Sequence, residues 1–164
     1  MTGLLAGRRA YITGGSSGIG AAIVEAFVKE GAHMAIGASR HSDQAMAVAK
    51  RLATGGQRVV VIQADLNDRA ATDHAADEVI SALGGLDIFV HCAGIDVIQT
   101  APTHETPDDT WDRMLALHLT AAFRLSKKLL PALLQGTKPS VTFIGSVAGL
   151  VAWEGDVAYN VAQA

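Results

Sequence analysis

The chain has 164 residues, 49% of them hydrophobic and 18% charged, a composition that suits one globular domain with a sizeable core and excludes disordered and fibrous classes. Its formal charge of -3 and isoelectric point near 6.0, with no Lys/Arg cluster on one face, give no electrostatic footprint for nucleic acid. No apolar run approaches the ~20 residues that span a bilayer, and the single Cys92 permits no internal disulfide and fits a reducing compartment, so the expectation is a cytoplasmic protein whose ligands are small molecules, with no nucleic-acid or membrane partner.

At the start of the chain the Arg8-Arg9 pair would suit a secretion signal, but the apolar stretch behind it stops at Thr13 and is too short. Residues 9–13 read as a strand and the periodic segment 18–30 as a helix. Further strands follow at 33–38, 58–64, 86–91 and 140–144, each short, apolar and close to a Gly or Pro. Helical segments at 42–53, 69–83 and 107–134 alternate with them, each long enough for a right-handed crossover between parallel strands. Gly31, Gly55 and the Gly84-Gly85 pair are candidate helix C-caps. In the longest segment Trp111, Met114, Leu115, His118, Ala122, Leu125 and Leu129 recur at helical spacing, which predicts a buried stripe. The alternation, without linker or repeat, predicts an α/β fold: about five strands in a doubly wound parallel sheet with helices on both faces. Ligands of such sheets lie beyond the carboxyl ends of the strands, so functional residues are sought just after each one.

After the first strand comes Thr13-Gly14-Gly15-Ser16-Ser17-Gly18-Ile19-Gly20, running into the apolar segment that starts at Ala21. A strand, a glycine turn and a helix start are the parts of a pyrophosphate site: glycines let the backbone approach phosphate, and the helix end offers free N–H groups with partial positive charge. The GxGxxG fingerprint does not fit, because Ser16 and Ile19 fall where its later glycines belong. A GxxxxGK phosphate loop fails at its cation, since Ala21 stands where Lys is needed.

The spacing TGxxxGIG at Thr13 to Gly20 resembles the cofactor loop of the short-chain dehydrogenase/reductase family. Asp65-Leu66 after the third strand is similar to that family's adenine-contacting acidic residue and its neighbour. His91-Cys92-Ala93-Gly94 resembles its Asn-Asn-Ala-Gly turn in Ala93 and Gly94. Ser146 and Tyr159, 13 residues apart, match its catalytic Ser and Tyr. The resemblance runs along the whole chain and implies a Rossmann-type, NAD(P)-binding domain over residues 1–164, with Gly14, Ser16, Ser17, Gly18, Ile19, Gly20, Asp65, Leu66, Ala93, Gly94 and Tyr159 at the cofactor. The choice of cofactor follows from charge. An acidic residue about 20 positions after the glycines would hold a ribose 2′-OH and repel a 2′-phosphate. This chain has Ala38-Ser39-Arg40 there, a guanidinium fork and a hydroxyl that suit phosphate, so NADP(H) is favoured over NAD(H).

By the same resemblance Tyr159 exchanges a proton with the oxygen of a ketone or secondary alcohol and Ser146 positions that oxygen. Two further family positions differ. His118 stands where the resemblance implies Asn, and Gln163 where it implies Lys. A free phenol titrates near 10, leaving about one in a thousand ionised at pH 7. Gln163 supplies no cation to change that, though it has a hydrogen bond to offer a ribose, and impaired activity is expected. His118 is preferred as a packed core residue over a proton relay. Cys92 is expected to fill space behind the nicotinamide and Trp111 and Trp153 to pack, and Asp87, which opens the fourth strand, need not be catalytic. No histidine arrangement resembles a metal site. Five residues follow Tyr159, so the usual C-terminal substrate loop, and half of the helix pair used for dimerisation, are expected to be missing. A homo-oligomer is implied by family analogy but disfavoured for this chain, and the fifth strand is expected to form an exposed edge. The alternative is a catalytically silent dinucleotide-binding or interaction protein.

Overall fold

The computed structural model describes residues 3–39, 42–53, 55–95 and 101–164. Five strands, β1 (Arg9–Thr13), β2 (His33–Ala38), β3 (Val59–Gln63), β4 (Ile88–His91) and β5 (Ser140–Phe143), form one sheet in the order β3-β2-β1-β4-β5, with every pairing parallel. Helices α1 (Gly18–Lys29), α2 (Ser42–Leu52), α3 (Arg69–Leu83), α4 (Asp108–Met114) and α5 (Ala121–Leu134) supply the crossovers, and α6 (Val157–Gln163) follows β5. The predicted α/β, doubly wound Rossmann-type sheet is the observed one.

The alternation of side chains along β1 decides which core each joins. Tyr11 points to the face covered by α3 and α5, where it stacks on Phe89 and joins Val79, Leu83, Leu125 and Leu129. Ala10 and Ile12 point to the opposite face, among Val24 and Val28 of α1 and Met34 and Ile36 of β2. Each large apolar side chain fully buried here contributes about 1.5–3 kcal/mol. The ion pairs Arg124–Asp73 and Lys128–Asp77, which also join α5 to α3, are partly exposed and of the class that contributes about 0–1 kcal/mol. The apolar seam therefore sets how α3 and α5 pack. Asp68 caps α3 by accepting from Ala71 N at 2.9 Å, and Gly84 ends it in a left-handed conformation. In the loop after α2 the left-handed glycine is Gly56, not Gly55.

The predicted single helix at 107–134 is instead α4 and α5 joined by a π-helical stretch, Leu115–Thr120. The wider turn shifts the buried register to Met114, Leu117, Ala121, Ala122, Leu125, Leu129 and Leu133. Leu117 takes the buried position expected for His118, which turns beside the stripe. β5 lies at the sheet edge with all four residues exposed, Val141 at 40% and Phe143 at 55%.

At the amino ends of the strands Asp87 is almost fully buried. Its Oδ2 accepts from Arg9 N at 2.8 Å and Arg9 Nε at 2.9 Å, and its Oδ1 from Arg9 Nη2 at 2.8 Å and Thr137 N at 2.7 Å. The Arg9 guanidinium, above all, holds this carboxyl far below the usual carboxylate range against the cost of burial. Asp87 thereby ties the starts of β1 and β4 to the loop before β5, a structural task.

Candidate functional site

Among the described residues, clefts open at both ends of the strands. One, of about 350 Å³, lies at the amino ends of the strands against Arg9, Arg58 and Asp87. The other, of about 740 Å³, lies at the carboxyl ends, where parallel α/β sheets bind their ligands. Gly14, Ser16, Ser17, Gly18, Ile19, Gly20, Ser39, Asp65, Leu66, Ala93, Gly94 and Tyr159, all expected from sequence, line this second cleft. Arg40 lies outside the described residues. Ser146 is not among the lining residues; its Oγ accepts from Ala148 N at 3.2 Å and starts the short 3₁₀ turn Val147–Gly149.

The glycines of the first loop have separate tasks. A Cβ on Gly20 would lie 2.2 Å from Gly14 O, and one on Gly14 would lie 2.9 Å from Ala93 Cα, so both positions serve backbone packing. Gly18, with φ +52, would direct a Cβ into open space. Ser17, at the N-cap of α1, makes no side-chain capping hydrogen bond, so the first-turn N–H groups of a 12-residue helix are left to the cleft.

The turn after β4 is pinned to β1 by a closed polar network. Thr13 Oγ1 accepts from Cys92 N and Ala93 N, both at 3.0 Å, and donates to His91 Nδ1 at 3.1 Å, while His91 Nε2 donates to Leu117 O at 3.2 Å. With Nδ1 accepting, the neutral tautomer satisfies every partner. Burial, helped by repulsion from a charged His118, lowers the His91 pKa to about 4. The unfolded ring, with its ordinary pKa near 6.5, takes up a proton first as pH falls. His91 therefore contributes stability that is fully present above about pH 6.5 and lost progressively towards pH 4, up to roughly 3 kcal/mol. Urea denaturation of wild type and His91→Asn at pH 7 and pH 4.5 should show the two stabilities converging in acid. A gap independent of pH would contradict this account.

At the other end of the cleft, α6 presents Tyr159 and Gln163 on one face, as their spacing of four requires. His118 reaches the same space from the π-helical stretch. Its ring meets that of Tyr159 edge-on, with centroids 5.6 Å apart at 82°. The Gln163 amide N–H donates to His118 Nδ1 at 2.8 Å. His118 is thus a half-buried cleft residue, correcting the preference for core packing, and Gln163 holds an imidazole. Trp153 is 51% exposed and does not pack as expected. Cys92 lines the cleft as a free thiol whose pKa burial raises. Sequence reasoning passed over Asn67, which donates to Asp65 Oδ1 at 2.8 Å from its side chain, and Arg113 and Tyr11, which also line the cleft. Among the described residues no cluster suited to a metal ion occurs, and no helix is long and apolar enough to cross a membrane.

The sequence model described as short chain dehydrogenase matches residues 8–164. The chain belongs to the short-chain dehydrogenase family. Among its curated relatives is the 2,5-dichloro-2,5-cyclohexadiene-1,4-diol dehydrogenase LinX of Sphingobium indicum, 32% identical over 100% of this chain and 64% of that protein. A dehydrogenase/reductase from Sinorhizobium meliloti superimposes with a TM-score of 0.88 at 38% identity, covering 97% of this chain and 62% of the other. A short-chain dehydrogenase from Burkholderia cenocepacia, solved in complex with NADP, gives a TM-score of 0.88 at 34% identity over 97% and 64% of the two chains. The chain therefore spans less than two thirds of the length of these short-chain dehydrogenases.

Proposed function

We propose that residues 1–164 form a dinucleotide-binding domain that takes NADP(H) in preference to NAD(H) and serves hydride transfer between the nicotinamide and a ketone or secondary alcohol. The observation that carries this reading is the single cleft shared by the uncapped start of α1, the Ala93-Gly94 turn and the Tyr159 side chain. The residues fit the group: the α1 terminus and Gly18 suit a pyrophosphate, Asp65 and Leu66 suit the adenosine end, and Arg40 and Ser39 suit a 2′-phosphate. The relative solved with NADP supports the same class of ligand. When bound, the cofactor supplies or accepts the hydride. In reduction the Tyr159 hydroxyl gives its proton to the substrate oxygen and is reprotonated from solvent; in oxidation the proton travels the other way. Ser146 uses an acceptor lone pair on Ala148 N–H and keeps its own proton to donate to that oxygen. The lone Cys92 supports a reducing, cytoplasmic setting, and family analogy supports a homo-oligomer.

Calorimetric titration with NADPH and NADH tests the reading. Wild type is expected to bind NADPH more tightly, and Arg40→Asp to reverse the order, because charged hydrogen bonds contribute ~1.5–3 kcal/mol. Gly18→Val should lose both ligands while remaining folded, since its branched side chain enters the cleft from a strained φ of +52. Retained affinity in folded Gly18→Val would place the nucleotide elsewhere, and binding without turnover on a carbonyl panel would favour the silent alternative.

A further inference from the structure

The least explained group in the cleft is the His118 imidazole. It projects from a π-helical stretch, a feature concentrated at functional sites. Two segments hold it, α6 and the turn after β4. Gln163 on α6 donates to Nδ1 at 2.8 Å, Ile95 O after β4 lies 2.9 Å from Nε2, and Gly94 leaves room for the ring, since a Cβ there would meet His118 Cε1 at 2.5 Å. With Nδ1 accepting, the neutral ring carries its proton on Nε2 and donates to Ile95 O. The Ile95 N–H, 3.2 Å from the same nitrogen, donates to it in the other neutral tautomer, in which Nδ1–H is given to the turned Gln163 amide oxygen.

Protonation disturbs little of this arrangement. The Nε2–H bond to Ile95 O persists, and a half-turn of the Gln163 amide replaces its N–H by its carbonyl oxygen, which accepts from the new Nδ1–H. A glutamine accommodates both states where a carboxylate or an ammonium would favour one. The charge so formed lies on a ring whose centroid is 5.6 Å from that of Tyr159, and a nearby opposite charge favours ionisation of an acid.

We propose that His118, held by Gln163 and Ile95, is a titrating positioning residue that assists proton loss from Tyr159: the imidazolium form makes the phenol the readier proton donor. This rests on the reading of Tyr159 as the proton-exchanging group. Among the described residues, the other titratable groups that line the cleft or couple to His118 are Tyr11, whose phenol pKa is pushed up by burial, Cys92, Asp65, Arg113 and His91. Asp65, the carboxylate of the set, is already engaged by Asn67.

The first test needs no turnover. With ¹³C-labelled tyrosine and histidine, NMR titration should show the Tyr159 ring resonance stepping at the same pH as the His118 imidazole. His118→Gln should remove the step, and Gln163→Glu should move both midpoints up by about 1–3 pH units, because a carboxylate stabilises the imidazolium. Gly94→Ala, which displaces the ring while leaving it ionisable, should uncouple the two resonances and serves if His118→Gln is poorly folded. A Tyr159 resonance indifferent to His118 titration overturns the proposal, as does an unmoved midpoint in Gln163→Glu. The second test is the pH dependence of kcat/KM for ketone reduction, expected to fall as pH rises through the His118 midpoint in wild type, at higher pH in Gln163→Glu, and with that limb lost in His118→Gln. If wild type reduces ketones and the limb survives in His118→Gln, His118 is not the coupled group although the functional reading stands. If the resonances are coupled and no carbonyl compound is reduced, the functional reading fails and the coupling stands.

Discussion

Tyr159→Phe is expected to lower carbonyl reduction by about 10²–10⁴-fold while dinucleotide affinity stays near that of wild type, the range a positioned proton donor contributes. The two readouts separate because the substitution removes one oxygen and keeps the ring. Phenylalanine can still meet His118 edge-on, and α6 keeps its buried Ala158 and the Asn160 side chain, which donates to Trp153 O at 2.8 Å. Steady-state rates and calorimetric affinities of the same preparations make the comparison. A variant that retains wild-type turnover would show that another donor serves the substrate oxygen.

The largest loss of stability is expected at Asp87, far from the chemistry. Asp87→Ala leaves the Arg9 guanidinium and the backbone N–H groups of Arg9 and Thr137 without their acceptor at once. Removing one partner of a buried ion pair typically costs about 3–5 kcal/mol. Arg9 is 26% exposed and partly regains water, which puts the expected loss near about 3 kcal/mol, a large share of the ~5–15 kcal/mol that holds a domain together. Arg9→Met should cost less, since it leaves Asp87 two backbone donors. Urea denaturation at pH 7 ranks the two, and equal losses would mean that the guanidinium alone carries the network.

The sheet was legible because each strand is a short apolar run bounded by turn residues, a signal that local chemistry writes into the sequence. β1, β2 and α3 have the expected bounds, and the other strands differ by one or two residues at their ends. The glycine loop was legible for the same reason, since a turn against a helix start restricts residue type. The π-helical stretch was not, because Leu115 to Thr120 is compatible with an α-helix, and what sets it apart, its contact with α6 and the bond from His91 to Leu117 O, is tertiary. The contact between His118 and Gln163 was invisible for a related reason: nothing local joins residues 45 apart. Ser146 is proposed from spacing alone, which does not reveal that its hydroxyl is partly occupied as a cap.

The network behind the cleft bears on how the cleft can be altered. His91 touches no ligand-facing space, yet its ring grips the carbonyl of Leu117, the residue directly before His118. The backbone that carries the imidazole is thus held in part by a strand residue that does not line the cleft. A library confined to cleft-lining positions would leave this lever untouched, whereas conservative changes at Thr13 or His91 act on the backbone behind Ala93 and Leu117 without placing a new atom in the ligand's path.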